Sequence, residues 1–258
     1  MSEGTPKDVP VGVVGRATAV LALFTETDAP TLGITEIAQS LDLSKAVVHR
    51  LLGSLRESGL IDVEAATRRY RLGPMALTLG LTYLAHVDLR DIARPLLERL
   101  SAETGETATL SLRQRWHRVY IDQVNPASEV RMTVPIGRPF PLHAGSSSKA
   151  FLAFLDEDEQ NEFFQTQPLD RLETSTIVDP DLLREELARV VRHGYARSAG
   201  ERQAGAYSIA APVFDHQARV AGVISICGPA ERFSHSWADA VDPLLAGTRE
   251  LSRNLGFS

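Results

Sequence analysis

Three groups of residues have types and spacing that could do chemistry. The first is Ser146-Ser147-Ser148-Lys149, which matches Ser-x-x-Lys, the nucleophile signature of a class of acyl-transfer hydrolases. Neither Lys-Thr-Gly nor Ser-Asp-Asn follows it downstream, and a four-residue match inside a serine run arises easily by chance. The second is Cys227, which with His143 or His193 would make a thiol nucleophile and its base. A cysteine in an apolar strand is more often an inert small side chain, and His143 between Leu142 and Ala144 reads as structural. His117, His143, His193, His216 and His235 offer no closely spaced ligand pair, so no metal site is read. No catalytic residue and no cofactor is expected, and the chain is read as a non-enzyme.

The third group is basic. Over residues 40–73 there are six basic side chains (Lys45, Arg50, Arg56, Arg68, Arg69, Arg71) against four acidic ones, although the whole chain carries a net charge of -6. A modest positive stripe on an acidic protein suits site-specific contact with double-stranded DNA, and argues against tight indiscriminate binding.

These basic residues need an element that presents them. Thr35 reads as the N-cap of a short helix carrying Ile37, Ala38 and Leu41. Ser44 reads as the N-cap of a second helix ending at Ser58, with Gly59 at the left-handed stop. At about 100° per residue, Val47, Val48, Leu51, Leu52 and Leu55 gather on one arc. Lys45, Ala46, His49, Arg50, Gly53 and Arg56 gather on the other. Short helix, tight turn, basic helix is the arrangement that enters a major groove. Lys45, His49 and Arg50 would then reach phosphates and base edges, and Ala46 a thymine methyl. Two short strands, Leu60–Val63 and Arg69–Leu72, follow as a wing that places Arg68 and Arg69 at or beside its turn. Gly73-Pro74 closes the unit, and an apolar helix with Met75, Leu77, Leu79, Leu81 and Leu84 reads as a linker and subunit contact.

From Leu89 the pattern is mixed α and β. Helices are expected over Ile92–Ala102, Leu182–His193 and Trp237–Leu255, and strands over Thr107–Leu112, Arg118–Val124, Ser208–Phe214 and Val220–Cys227. In the last of these, alternation puts Val223, Ser225 and Cys227 on one face and Gly222, Ile224 and Ile226 on the other. Small polar side chains on an apolar strand suggest a cavity, since a buried hydroxyl needs a partner. Gly145-Ser146-Ser147-Ser148, directly before a helix read over Lys149–Leu155, would favour an anion such as a small carboxylate. The same serines would equally serve as caps of helix and strand ends, and the residues alone leave both readings open.

The bulk numbers set the frame. With 43% hydrophobic and 23% charged residues the chain reads as an ordinary globular protein of two domains. The longest strongly apolar stretch, Val220 to Cys227, is far short of the roughly 20 residues needed to cross a bilayer, so no membrane contact is expected. The first ten residues hold Glu3, Lys7 and Asp8 and no apolar block, which predicts no secretory signal. A single cysteine fits a cytoplasmic location.

Ile34-Thr35-Glu36-Ile37-Ala38, Val48-His49-Arg50-Leu51-Leu52 and Tyr70-Arg71-Leu72-Gly73 resemble hallmark segments of the isocitrate-lyase-regulator (IclR) family. Matches continue through Thr104-Gly105-Glu106-Thr107, Pro141-Leu142-His143-Ala144, His193-Gly194-Tyr195-Ala196, Ala210-Ala211-Pro212-Val213 and Ser225-Ile226-Cys227-Gly228-Pro229. The resemblance covers residues 11–256 in collinear order. It implies an α+β chain: a tail over 1–10, a winged helix-turn-helix over 11–73, a linker helix over 74–89 and a GAF-like effector-binding domain over 90–258. It also implies a transcription regulator, a repressor in preference to an activator, forming a homodimer or tetramer on a palindromic operator. Residues Thr35, Ser44, Lys45, Ala46, His49, Arg50, Arg68 and Arg69 are the expected DNA contacts. The family's pocket for small organic or aromatic carboxylates falls on Ser146, Ser147, Ser198, Ser208, Ser225 and Cys227. Ser198 stands where many relatives carry an acidic residue, and Cys227 where serine is frequent. A sensor module working through protein contacts alone is the competing reading. It predicts that charge reversal at Lys45 or Arg50 leaves function intact.

Overall fold

The structure is a computed structural model that describes residues 12–257 apart from 26, 28 and 87, with the side chains of 81 and 83–86 left aside. The tail expected over 1–10 and the side chains of Leu81 and Leu84 lie outside the described residues. The chain divides into two compact units, Met1–His86 and Val87–Ser258.

The first unit contains α1 (Val13–Leu23), α2 (Ile34–Ser40), α3 (Lys45–Glu57), β1 (Ile61–Val63), β2 (Tyr70–Leu72) and α4 (Pro74–His86). Its core is Val20 of α1, Ile37 and Ala38 of α2, Val48, Leu51, Leu52 and Leu55 of α3, and Ile61 of β1. These are the apolar arcs read from the sequence, and they bury because only a three-helix corner removes all of them from water. Ser44 caps α3, its hydroxyl accepting from the Val47 N–H at 3.4 Å. Gly59 takes φ +74 just beyond the helix, a conformation that suits glycine. Thr35 is not a cap: Gly33 holds that position, and the Glu36 carboxylate accepts from the Gly33 N–H at 2.9 Å. The β1–β2 hairpin is extended by an antiparallel bridge between Leu32 and Tyr70.

The second unit is a six-stranded antiparallel sheet in the order β5-β4-β3-β8-β7-β6. In chain order its elements are α5 (Leu89–Thr104), β3 (Thr107–Gln114), β4 (His117–Val124), β5 (Pro139–Pro141), α6 (Ser146–Ala153), α7 (Glu157–Thr166), α8 (Pro180–His193), β6 (Ala196–Ala199), β7 (Ala206–Phe214), β8 (Val220–Pro229), α9 (Ala230–Ser236) and α10 (Val241–Asn254). One face packs on α5, α9 and α10 through Ala108, Leu110, Ile209, Ala211, Ile224 and Ile226. The other face carries Ala210 and Val223 against α6, α7 and α8. This is the α+β, GAF-like arrangement expected, with helices on both faces of a curled sheet.

The period-2 alternation of β8 has a physical outcome on that second face. Register brings Ser198 opposite Ser208, Ser208 opposite Cys227 and Cys227 opposite Thr107, a continuous row of small polar side chains across β6, β7, β8 and β3. The neighbouring row pairs Ala210 with Ser225 and Ser225 with Thr109. Such a row cannot pack like a hydrocarbon core, so the sheet leaves space above it.

Most element boundaries of the second unit lie within three residues of the sequence reading, and two shifts change an assignment. The helix expected from Lys149 begins at Ser146, so the serines form its first turn instead of a turn before it. The closing helix begins at Val241, with Trp237 following the separate short α9.

Candidate functional site

On the first unit, α3 presents Lys45, Ala46, His49, Arg50, Gly53 and Arg56 to solvent, opposite its buried arc. Lys45, His49 and Arg50 have no ion-pair partner among the described residues. At the hairpin tip Arg68 is exposed and takes φ +60. Arg69 behaves differently. Its guanidinium donates to both Glu36 carboxylate oxygens at 3.0 and 2.8 Å, and to the Thr31 hydroxyl and carbonyl at 3.0 and 2.9 Å. The hydrogen bonds from Arg69 hold the Glu36 carboxyl below the usual carboxylate range. Arg69 therefore braces the hairpin against the start of α2, and its donors are already engaged.

On the second unit, Ser146, Ser198, Ser208, Ser225 and Cys227 line one cavity, joined there by Arg118, Tyr120 and Arg202. Ser147 is buried in α6 but does not line it. Ser146 donates to the Ser208 hydroxyl at 2.7 Å, and Ser225 shares a 2.6 Å hydrogen bond with Thr109. The cavity volume is about 30 Å³, room for one or two waters.

Arg118 is the unusual group. It is 1% exposed. Its guanidinium donates to Ser148 Oγ at 2.9 Å, Tyr120 Oη at 2.9 Å and Ser111 Oγ at 3.5 Å. It also lies 4.2 Å from the Tyr120 ring centroid and 5.3 Å from that of Phe140. No carboxylate among the described residues is within ion-pair distance of it. Burial pushes its pKa below the ordinary arginine value, with Arg202 adding repulsion, yet a guanidinium remains charged in a protein. Arg202, half-buried, sits 4.5 Å from the Phe140 ring and also lacks an acidic partner among the described residues. Buried charges are ordinarily paired. Two guanidiniums face one small polar cavity whose lining carboxylate, Glu201, is engaged by Lys149 and the Gly145 N–H, which leaves the cavity a net positive lining.

Comparison with known proteins agrees with this anatomy. The family profile for the IclR helix-turn-helix domain matches residues 13–65, and that for the C-terminal part of the bacterial transcriptional regulator IclR matches residues 81–253. The chain belongs to the IclR family of transcription regulators. It is 34% identical over 243 residues to the HTH-type transcriptional regulator BhcR of Paracoccus denitrificans, covering 94% of this chain and 86% of that one. It is 32% identical over 206 residues to the transcriptional repressor IclR of Escherichia coli, covering 79% of this chain and 75% of that one. The crystal structure of an IclR transcriptional regulator from a Silicibacter species superposes with a TM-score of 0.87 at 28% identity, covering 96% and 97% of the two chains.

Within this IclR-family protein the Ser-x-x-Lys spacing holds an ion pair and no free amine. Lys149 Nζ donates to Glu201 at 2.6 Å and to Glu186 at 2.8 Å, with the lysine side chain 1% exposed. The second Glu201 oxygen accepts from the Gly145 N–H at 3.0 Å. Within the Gly145–Ser148 turn, expected from the sequence to favour an anion, the Gly145 amide is thus taken by the protein's own carboxylate. The buried cation on this cavity, Arg118, comes from β4.

Sequence reading missed Arg118, Arg202 and Glu201. A signal for Arg118 existed: it alternates with Tyr120 along a strand whose other positions are Val119 and Ile121. Cys227 lies in the cavity wall as a thiol, burial pushing its pKa up to about 12.

Proposed function

We propose that this protein is a ligand-responsive repressor that reads a palindromic operator as a homodimer or tetramer and releases or tightens on it when a small carboxylate occupies the Arg118 cavity. The observation that carries the effector part is the buried guanidinium with no acidic partner. A carboxylate there would convert an unpaired internal charge into charge-assisted hydrogen bonds, each contributing about 1.5–3 kcal/mol. Ser146, Ser198, Ser208 and Ser225 supply hydroxyls for a hydroxyl or keto oxygen on the same molecule. An organic acid is larger than the closed cavity, so part of its wall must move on binding. The segment from Gly200 to Gln203, with Gly200 at φ +71, lies between β6 and β7 outside regular structure. Ligand binding there would be linked to operator affinity by a coupling of about 1–3 kcal/mol, or roughly 5- to 150-fold. The linker helix α4 is the element we assign to carry that coupling.

For the operator, Lys45, Ala46, His49 and Arg50 are assigned to the major groove, with Ser44 and Thr35 at the backbone and Arg68 at the wing. Arg69 is reassigned from DNA contact to bracing. Family membership weighs against the reading in which this unit pairs only with protein.

Fluorescence anisotropy on DNA from upstream of the protein's own coding region, against scrambled DNA and across a salt series, tests the whole. Selective binding with a steep negative salt slope is expected, and Arg50→Glu should remove it, with about 1–3 kcal/mol tied to each base-reading side chain. A panel of short carboxylates, with their amides as neutral controls, should then shift the wild-type curve while leaving Arg118→Met unmoved. Equal weak binding to both DNAs would overturn the regulator reading. An equal response to acid and amide would overturn the carboxylate assignment while leaving the regulator intact.

A further inference from the structure

A much larger open space on the second unit lies elsewhere. It is a groove of about 810 Å³ between α10, the end of α8 and the far end of β7, within the roughly 300–1,000 Å³ usual for small-molecule sites. It exists because β7 outruns its neighbour. β6 pairs with β7 only as far as Ala210, so Ala211 to Phe214 has no strand on that side. Phe154, Pro212, Phe214, Leu245 and Phe257 form its floor and walls. The rings of Phe214 and Phe257 stack at 5.0 Å, and Phe154 meets Phe214 edge-on at 5.3 Å.

The rim has one sign of charge. Arg192, His193, Arg249 and Arg253 surround the groove, all exposed, and no acidic side chain among the described residues lines it. None of the four has an ion-pair partner among the described residues. Glu250, next in sequence to Arg249, is turned to Arg99 of α5 at 3.3 Å.

The two hydroxyls inside, Ser252 and Thr248, are already satisfied. Ser252 Oγ donates to the Thr248 carbonyl at 2.7 Å and accepts from the Phe214 N–H at 2.9 Å, while Thr248 Oγ1 donates to the Leu245 carbonyl at 3.3 Å. Neither hydroxyl is left free to read a base or a sugar, and the aromatic faces of Phe214 and Phe257 are turned to each other. What the groove offers is apolar area and several positive charges at its edge. That combination fits an apolar chain with an anionic end.

We propose that this groove binds an alkyl carboxylate, a fatty acid of medium or long chain, at a site separate from the serine-lined cavity. The chain lies along Leu245, Pro212 and the phenylalanine edges, and the carboxylate meets the arginines of α10. The proposal stands whether or not the Arg118 cavity takes an effector.

The test uses the full-length protein and the dye 1-anilinonaphthalene-8-sulfonate, an amphipathic anion too large for the closed serine cavity. Dye fluorescence should rise on binding and fall when dodecanoate is added below its micellar concentration. Dodecyltrimethylammonium, with the same chain and opposite charge, should not compete. Ala246→Trp, at an exposed position of the groove wall, should abolish the signal by filling the space. Arg249→Glu with Arg253→Glu should weaken dodecanoate by about tenfold or more, as the loss and reversal of two exposed charges implies. Each variant's far-UV circular dichroism should match the parent. Competition by the cationic chain as strong as by dodecanoate, or dye binding unchanged in folded Ala246→Trp, would overturn the proposal. So would dye release on concentrating the protein in step with its self-association, which would assign the groove to a second copy.

Discussion

At the scale of single residues, the two halves of the protein treat arginine in opposite ways. Arg50 is left in water where a phosphate or base edge can reach it, whereas Arg118 is enclosed with hydroxyls and rings and, among the described residues, no carboxylate within ion-pair distance. The first was legible from helical angle alone, because exposure on an amphipathic helix is a local property. The second was not, because the burial of Arg118 depends on α6 folding over β4 from about thirty residues away in sequence. A buried unpaired charge carries a stability penalty, so Arg118→Met should melt at the same temperature as the parent or higher in the absence of ligand. Differential scanning calorimetry checks this, and a fall of several degrees would mean that the hydroxyl network, not a ligand, is what the arginine serves. Cys227 gives a second expectation. Its folded-state pKa of about 12 lies above the ordinary thiol value of 9.0, so ionisation favours the unfolded chain as pH rises from about 9 toward 12. Between pH 8 and 9 the native thiol should resist a disulfide reagent that labels it promptly in denaturant.

Among the elements, what could be read in advance was whatever carries its own punctuation. The helix α3 has a serine cap, an apolar arc and a glycine stop, and all three hold in the fold. By contrast α7 buries only Phe163 and so shows no stripe, although Asp156 caps it in the usual way. The strand β5 is Pro139-Phe140-Pro141, and prolines argue against a strand except at a sheet edge, which is where it lies. Trp237 to Ala240 continue an apolar pattern but belong to a turn between α9 and α10, so the closing helix was read four residues too early. The hairpin of the first unit supplies a test at this scale. A Cβ on Gly73 would lie 2.2 Å from the Gly59 carbonyl oxygen and 3.1 Å from the Ile61 carbonyl carbon, both backbone atoms that cannot swing aside. Gly73→Ala should destabilise the first unit by about 1–3 kcal/mol or more, seen as a lower urea midpoint and weaker operator binding. The second unit should keep its carboxylate response.

For the whole molecule, the feature that points outward is α4. Met75, Leu77 and Leu79 are 42%, 65% and 55% exposed along one helix, more apolar area than a solvated helix normally leaves open. We propose that this surface pairs with a second copy, since two helix-turn-helix units on one operator would need a shared axis. Sedimentation should give twice or four times the chain mass. Leu77→Glu with Leu79→Glu should give a folded monomer whose operator affinity collapses. A multimer that survives both substitutions would move the interface elsewhere.

The unpartnered arginine has one more consequence, and it concerns the bench. A cavity holding positive charge and room for one or two waters will draw in whatever small anion the buffer provides, and chloride is the usual one. On the proposed effector reading, the cavity without its carboxylate is an exchange site whose occupant is set by the buffer. Effector affinities taken in chloride, acetate and a bulky anion such as gluconate should differ by more than ionic strength explains. The true resting state of the regulator will be the one poised against the anions of its own cell.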